Sequence, residues 1–304
     1  MSESWQAERR NLDRLTKHRR MDVDGVDIFY REAGPADGPV LLLPHGYPGS
    51  SMEFRGLMPA LADRYRLLAP DFPGQGLSAT PEEFDYSFDG YARFLERFAE
   101  RLGVQRLVLY LHDFGSQIGL RLAILRPEWI AGLIIQNGDI YEDVLGPKYG
   151  GLKAYFADKS PEHGKAIEDA VSQEGFREEY LNAVRPELAE TLPPELWLYH
   201  WSLMTPRRKA IMVDIIKGLE QNLDWFGRYQ AYLREHQPPA LILWGPQDGY
   251  MPEESARAYQ RDLPRCELHL LDAGHWALET SLDDMVPLIR DFLGRVWANR
   301  VTNA

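Results

Sequence analysis

The chain has 304 residues, 44% hydrophobic and 26% charged, with a net charge of -12 and a pI near 5.2. That composition fits a globular enzyme with a large core and one inserted subdomain, and it argues against nucleic acid or an anionic membrane surface as partner. No apolar run approaches membrane-spanning length and no apolar signal segment opens the chain, so a cytoplasmic location is expected; the single cysteine, Cys266, has no partner for an internal disulfide.

In chain order, residues 1–20 are polar, rich in Arg, Glu and Lys, and read as a surface extension or a partly frayed helix. Residues 21–31 alternate apolar and polar around Asp24-Gly25, a hairpin signal. Residues 39–44 form a buried strand that ends in His45-Gly46-Tyr47-Pro48. Residues 52–63 read as helix, and 66–70 as a further buried strand running into Asp71. A helix over 88–102 leads to the apolar run 107–111, then to the tight turn His112-Asp113-Phe114-Gly115, and then to an apolar-faced helix over 116–125. Another strand follows at 130–136. Strands alternating with helices at this spacing predict an α/β fold, a mostly parallel sheet with helices on both faces.

From 141 to 232 the pattern changes to helical segments dense in aromatics, with no convincing buried strand. Strand character returns at 240–244 and 267–271. The predicted organisation is therefore a core from 21–140 and 233–304, with a helical cap at 141–232 inserted over the carboxyl ends of the strands. Ligand sites lie outside those ends, so some cap aromatics face a cleft, while most build the cap's own small core.

The chemistry centres on residues 106–120, RLVLYLHDFGSQIGL. A strand, a sharp turn and a helix form the setting of a nucleophile elbow, which usually carries serine. Here it carries Asp113. Asp is also a favoured helix N-cap, so the position alone leaves both roles open. A carboxylate needs no base to generate it, and it attacks an sp3 carbon that bears a leaving group or belongs to a strained ring, giving an alkyl ester. Two later loops supply partners. Gly245-Pro246-Gln247-Asp248 puts an acid just past a strand, and Asp272-Ala273-Gly274-His275-Trp276 puts a histidine past the last one. Nucleophile Asp113, acid Asp248 and base His275 follow one another in the order of the α/β-hydrolase fold. The backbone amides of Tyr47 and Phe114 are the expected oxyanion donors, and His45 is expected to tie loops together. Pro73-Gly74-Gln75-Gly76 lacks the third glycine of a dinucleotide fingerprint.

With HGYP, APDFPGQGLS, LHDFGSQIG, LILWGPQD and DAGHW in series, the chain resembles the α/β-hydrolase superfamily, in its aspartate-nucleophile branch of epoxide hydrolases and haloalkane or haloacid dehalogenases, over roughly residues 23–296. The resemblance implies a cofactor-independent hydrolase with no bound metal. It implies a small apolar organic substrate and water as partners, and is compatible with a homodimer. Haloalkane dehalogenases typically place Trp after the nucleophile and a polar residue within HGxP, where this chain has Phe114 and Tyr47. The arginines of fluoroacetate-type dehalogenases are absent from that stretch too. An aromatic residue within HGxP is usual in epoxide hydrolases.

Epoxide hydrolysis is accordingly the expected activity, with carbon–halogen hydrolysis by the same triad as the alternative. An epoxide hydrolase also needs cap donors for the departing oxygen. Tyr199 resembles one by its segment, with Tyr155, Tyr149 or His200 as further candidates; Trp197 or Trp201 would hold a halide instead. Asp139 is a reserve acid, since some relatives take it from that strand end. A serine esterase is a more distant reading, because Ser116 lies three positions past the elbow tip. A non-catalytic receptor on this fold would be expected to have a damaged triad.

Overall fold

The structure, a computed structural model, is described for residues 14–298. An eight-stranded sheet runs through its centre in the order β1-β2-β4-β3-β5-β6-β7-β8. β1 (Lys17–Val23) and β2 (Val26–Ala33) form an antiparallel hairpin, and β2 pairs antiparallel with β4 (Arg66–Pro70). The remaining strands, β3 (Val40–Leu42), β5 (Leu107–His112), β6 (Ile130–Gln136), β7 (Ala240–Trp244) and β8 (Glu267–Leu270), run parallel with their neighbours. All carboxyl ends of this parallel set therefore point to one edge of the sheet.

The hairpin turn is where the sequence places it, with Asp24 and Gly25 at φ 51° and 85°, the positive values a tight two-residue hairpin turn requires. The strand before it starts earlier than expected. Lys17 to Arg20 belong to β1 and not to the polar extension their sequence suggests, because charge pairs across the hairpin replace apolar alternation: Arg19 with Glu32 at 2.6 Å, and Arg20 with Asp27. The rest of that extension, residues 1–13, lies outside the described residues, as do 299–304.

β5 alternates between two cores. Leu107, Leu109 and Leu111 pack into one apolar cluster, and Val108 and Tyr110 into the other, so both faces of the strand are buried. The first cluster is built with α2 (Phe88–Arg101), α3 (Asp113–Leu125) and α11 (Phe226–His236). The second is built with α1 (Leu57–Leu61), α13 (Ala277–Thr280) and α14 (Leu282–Ala298). α2 shows why such helices form where they do. Ser87 caps its first turn by accepting from the Gly90 amide at 3.1 Å, Tyr91, Leu95, Phe98 and Ala99 make one buried stripe, and Gly103 ends it at φ 67°. Truncating fully buried Leu95 to alanine would cost about 2–5 kcal/mol.

Between β6 and β7 the chain is helical. α4 (Gly150–Ala157), α5 (Pro161–Ala170), α6 (Gln173–Leu181), α7 (Pro186–Ala189), α8 (Glu195–Ser202), α9 (Pro206–Lys217) and α10 (Leu219–Leu223) precede α11, and α12 (Glu253–Ala258) follows β7. Buried Arg121 on α3 ties this insert to the core. It donates to Tyr229 and to Asn222, each at 2.8 Å, and its guanidinium stacks 4.2 Å from the Trp225 ring centre. Among the described residues no helix is long and apolar enough to cross a membrane.

Candidate active site

The chain leaves β5 through His112 in an extended conformation, turns at Asp113 with φ 48°, and enters α3 at once. A left-handed backbone at a non-glycine residue costs about 1–3 kcal/mol, and Asp tolerates it better than most. The helix thus starts at Asp113 itself, three residues before its expected start. Two glycines permit the close approach. A Cβ on Gly115 would meet the Pro44 carbonyl oxygen at 2.2 Å, and one on Gly46 would meet the Asp113 side chain at 2.5 Å. The Tyr47 amide donates to Asp113 Oδ1 at 2.5 Å, so the carboxylate is held by a backbone N–H at the positive end of a helix. Phe114, the next residue, stacks its ring 5.7 Å from that of Tyr47.

Asp248 and His275 come from the loops after β7 and β8, which are joined by a bridge between Gln247 and Gly274. His275 Nδ1 lies 2.7 Å from Asp248 Oδ2, and His275 Nε2 lies 3.6 Å from Asp113 Oδ2. Asp248 is buried. It also accepts from Asn137 Nδ2 at 2.9 Å and from the amides of Tyr250 and Met251 at 2.8 and 3.1 Å. Burial alone would raise its pKa, but the imidazole and these donors outweigh it and hold the group below its ordinary value. For His275, burial pulls the pKa down. The charges of Asp248, then Asp113 and Glu179, outweigh it and raise it to about 9. The resting arrangement is therefore an imidazolium between two carboxylates, with Nδ1–H donated to Asp248.

The His275 loop is anchored from behind. His112 Nε2 and Gln136 Nε2 both donate to the His275 carbonyl, at 3.1 and 3.0 Å, and His112 Nδ1 is 2.7 Å from Glu53. His45 accepts from the Phe72 amide at Nε2 (3.2 Å) and donates from Nδ1 to the Gly46 carbonyl (3.0 Å), the loop-tying role expected of it. Burial lowers its pKa, in keeping with the neutral tautomer these bonds require. Asp139 is buried and does not meet His275, whose Nδ1 is engaged by Asp248. The residue that reaches across from the end of β6 is Asn137.

Asp113 and His275 open onto a cavity of about 200 Å³. Its apolar wall includes Phe114, Leu152, Ile167, Ile216, Leu219 and Met251, and its polar groups include Tyr47, Tyr149, Glu179 and Tyr250. Tyr250 donates to Glu179 Oε1 at 2.9 Å. Burial drives Glu179 up to about 7 and keeps Tyr149 and Tyr250 well above the usual phenol range, so both hydroxyls stay protonated at neutral pH.

Five of the cap residues singled out from sequence are not on this wall. Tyr199 is half-buried beside Asp71, Arg31 and Arg208. His200 is buried among Ser50, Tyr180 and the Leu196 carbonyl, and its pKa is lowered to about 4 by that burial. Trp197 packs near Tyr180, Trp201 against Phe176, and Tyr155 beside Phe156. For the four on α8 the physical reason is that α8 packs against α6, and α6 supplies the wall through Glu179; α4 supplies it through Leu152, and its Tyr155 is not among the lining residues. Of the named candidates only Tyr149 lines the cavity.

Four contributors carry little sequence signal. Glu179 sits in REEYL, which reads as a solvated helix face, and Tyr250 two residues past Asp248 reads as loop. Asn137 and Glu53 act through contacts distant in sequence.

The sequence profile of the alpha/beta hydrolase fold matches residues 39–282. The chain is 32% identical to an uncharacterized hydrolase, YNR064C, of Saccharomyces cerevisiae, over 87% of this chain and 92% of that one. It is 38% identical to haloalkane dehalogenase 2 of Mycobacterium bovis, over 88% and 91%. Among solved structures, haloalkane dehalogenase DbeA from Bradyrhizobium elkani shares the fold, with a TM-score of 0.78 at 22% identity over 94% of this chain and all of that one.

Proposed function

The chain belongs to the α/β-hydrolase family, in its haloalkane-dehalogenase-like branch, and on that premise we propose that it hydrolyses small apolar epoxides through a covalent ester on Asp113. The observation that carries the reading is the carboxylate at the elbow, facing His275 on one side and the Tyr47 amide on the other. In the first step an Asp113 oxygen attacks a ring carbon, the carbon–oxygen bond breaks, and the ring oxygen takes up a proton. In the second, His275 removes a proton from water, and hydroxide adds to the ester carboxyl carbon. The oxyanion forms within reach of the Tyr47 amide, with the Phe114 amide as second donor. Collapse releases a vicinal diol and restores the aspartate.

Esterification sets up the second step. It removes the Asp113 charge, one of those that raise the His275 pKa, so the imidazole loses its proton more readily when a base is needed. Asp248 keeps the ring oriented and stabilises the cation that forms.

Epoxides are favoured over halides by the lining. Among the described residues on the cavity wall none is a tryptophan, whereas the hydroxyls of Tyr149 and Tyr250 and the Glu179 carboxyl are present. Such groups suit a leaving oxygen, which needs a proton, better than a leaving halide, which needs only a dipole. Halide displacement by the same triad is the second reading, favoured by the 38% identical relative whose name is haloalkane dehalogenase 2. Parallel assays on styrene oxide and 1-bromobutane, reading diol and bromide release, decide between them. Diol formation with negligible bromide supports the first reading, and bromide release without diol replaces it with the second.

A further inference from the structure

The epoxide reading leaves the source of the first proton open, and the cavity wall carries an unusual group for it. Glu179 comes from α6 of the insert, lines the cavity with Asp113, and accepts a hydrogen bond from Tyr250 at 2.9 Å. Tyr250 belongs to the loop just past Asp248, so a carboxyl from the insert and a phenol from that loop meet on the wall of the cavity onto which Asp113 opens. The turn that carries Asp248 fixes the phenol's backbone, since the Tyr250 amide donates to Asp248 Oδ1 at 2.8 Å. On the other side, the Trp276 indole donates to the Glu179 carbonyl at 3.2 Å, which pins the end of α6 to the His275 loop.

From this juxtaposition, and resting on the epoxide reading, we infer that Glu179 is the proton donor to the leaving oxygen, with Tyr250 as its hydrogen-bonded partner. As Asp113 bonds to carbon, the ring carbon–oxygen bond breaks, its electron pair goes to oxygen, and the Glu179 proton follows it, leaving Glu179 as carboxylate. Once Asp113 is esterified, the His275 imidazolium gives up its proton by way of solvent to the Glu179 carboxylate, which frees the base and recharges the acid. In the second step one water proton passes through His275 to the alkoxide expelled from Asp113, and the other, left on the regenerated Asp113 carboxyl, returns the imidazole to its cation, so the cycle consumes one water and no net proton.

The electrostatics suit the task. The charged and titratable groups around Glu179 are Tyr250, Lys148, His275, Asp113 and Tyr47. Burial is the main force on it and raises its pKa; Tyr250, Lys148 and His275 lower it, and Asp113 raises it, with the balance at about 7. An acid poised there is partly protonated at neutral pH and still strong enough to give its proton up. The phenols near it hold theirs far more tightly.

The test is the rate of Asp113 alkylation by styrene oxide, followed by intact-protein mass in a His275→Gln background, which stalls the ester and removes the histidine titration. Glu179→Gln keeps the shape but has no transferable proton. It should slow alkylation about 10²–10⁴-fold at pH 6. The parent should lose rate as pH rises through and above 7, and Glu179→Gln should show no such limb. Tyr250→Phe removes a bond that lowers the Glu179 pKa, so its limb should move to higher pH, a readout that stands even if Glu179→Gln does not fold. Parent-like alkylation in Glu179→Gln with the limb intact, or an unmoved limb in Tyr250→Phe, overturns the role of Glu179 while the epoxide reading stands. Absence of any adduct in the parent overturns both.

Discussion

His275 Nε2 stands 3.6 Å from Asp113 Oδ2, within range of charge attraction but beyond ordinary hydrogen-bond length. On the mechanism proposed above, that gap would leave the carboxylate free to attack while the imidazole serves only the later hydrolysis. A serine at this elbow would need that imidazole as a base in the first step. An aspartate does not, so the two half-reactions separate.

His275→Gln should accordingly be alkylated by a suitable epoxide but not turn over. Intact-protein mass should rise by the mass of one substrate and stay there. A folded variant that neither turns over nor gains mass would remove His275 from the hydrolytic step.

Asp248→Asn tests the orienting bond. Without the carboxylate the preferred tautomer is lost, and ester hydrolysis should fall by about 10⁴-fold while alkylation continues. The His275 pKa, raised to about 9 chiefly by Asp248 against the pull of burial, should drop sharply. Histidine titration by NMR checks it, and an unchanged titration near 9 would contradict the assignment.

Much of this arrangement is legible in sequence because it depends on local rules. Buried parallel strands are continuous apolar runs, so β5, β6 and β7 are found within a residue, and Asp113, Asp248 and His275 follow β5, β7 and β8 in order. The cap is another matter. The helical stretch between β6 and β7 shows in the loss of strand pattern, but which aromatic faces the cavity depends on how α6 and α8 stack. Tyr199, His200, Trp197 and Trp201 share one promising segment and turn away from the cavity, while Glu179, in a run of charges, faces it. Glu53, Asn137 and Tyr250 are brought in by contacts that no local periodicity encodes.

Asp139 gives a stability prediction with a definite sign. Burial raises its pKa from 3.8 to about 7 in the folded protein, with the nearby Asp113 and Asp248 charges adding to the rise. A group raised on folding contributes stability that is full below its unfolded pKa and is lost as pH rises through the folded one. Asp139→Asn removes that loss. Between pH 4 and pH 8 its stability relative to the parent should improve by about 4 kcal/mol in urea denaturation. A difference that stays constant with pH, or moves the other way, would show that Asp139 does not titrate as the burial implies.

The identity of the nucleophile is open to one direct measurement. With enzyme in excess over substrate, a single turnover in 18O-labelled water should leave the label in the Asp113 carboxyl group, because water attacks the ester carbon and the product oxygen comes from the protein. Peptide mass spectrometry would then find the Asp113 peptide two mass units heavier and the first product unlabelled. Label in that first product, with Asp113 unchanged, would mean that water attacks the substrate directly and that no covalent ester forms.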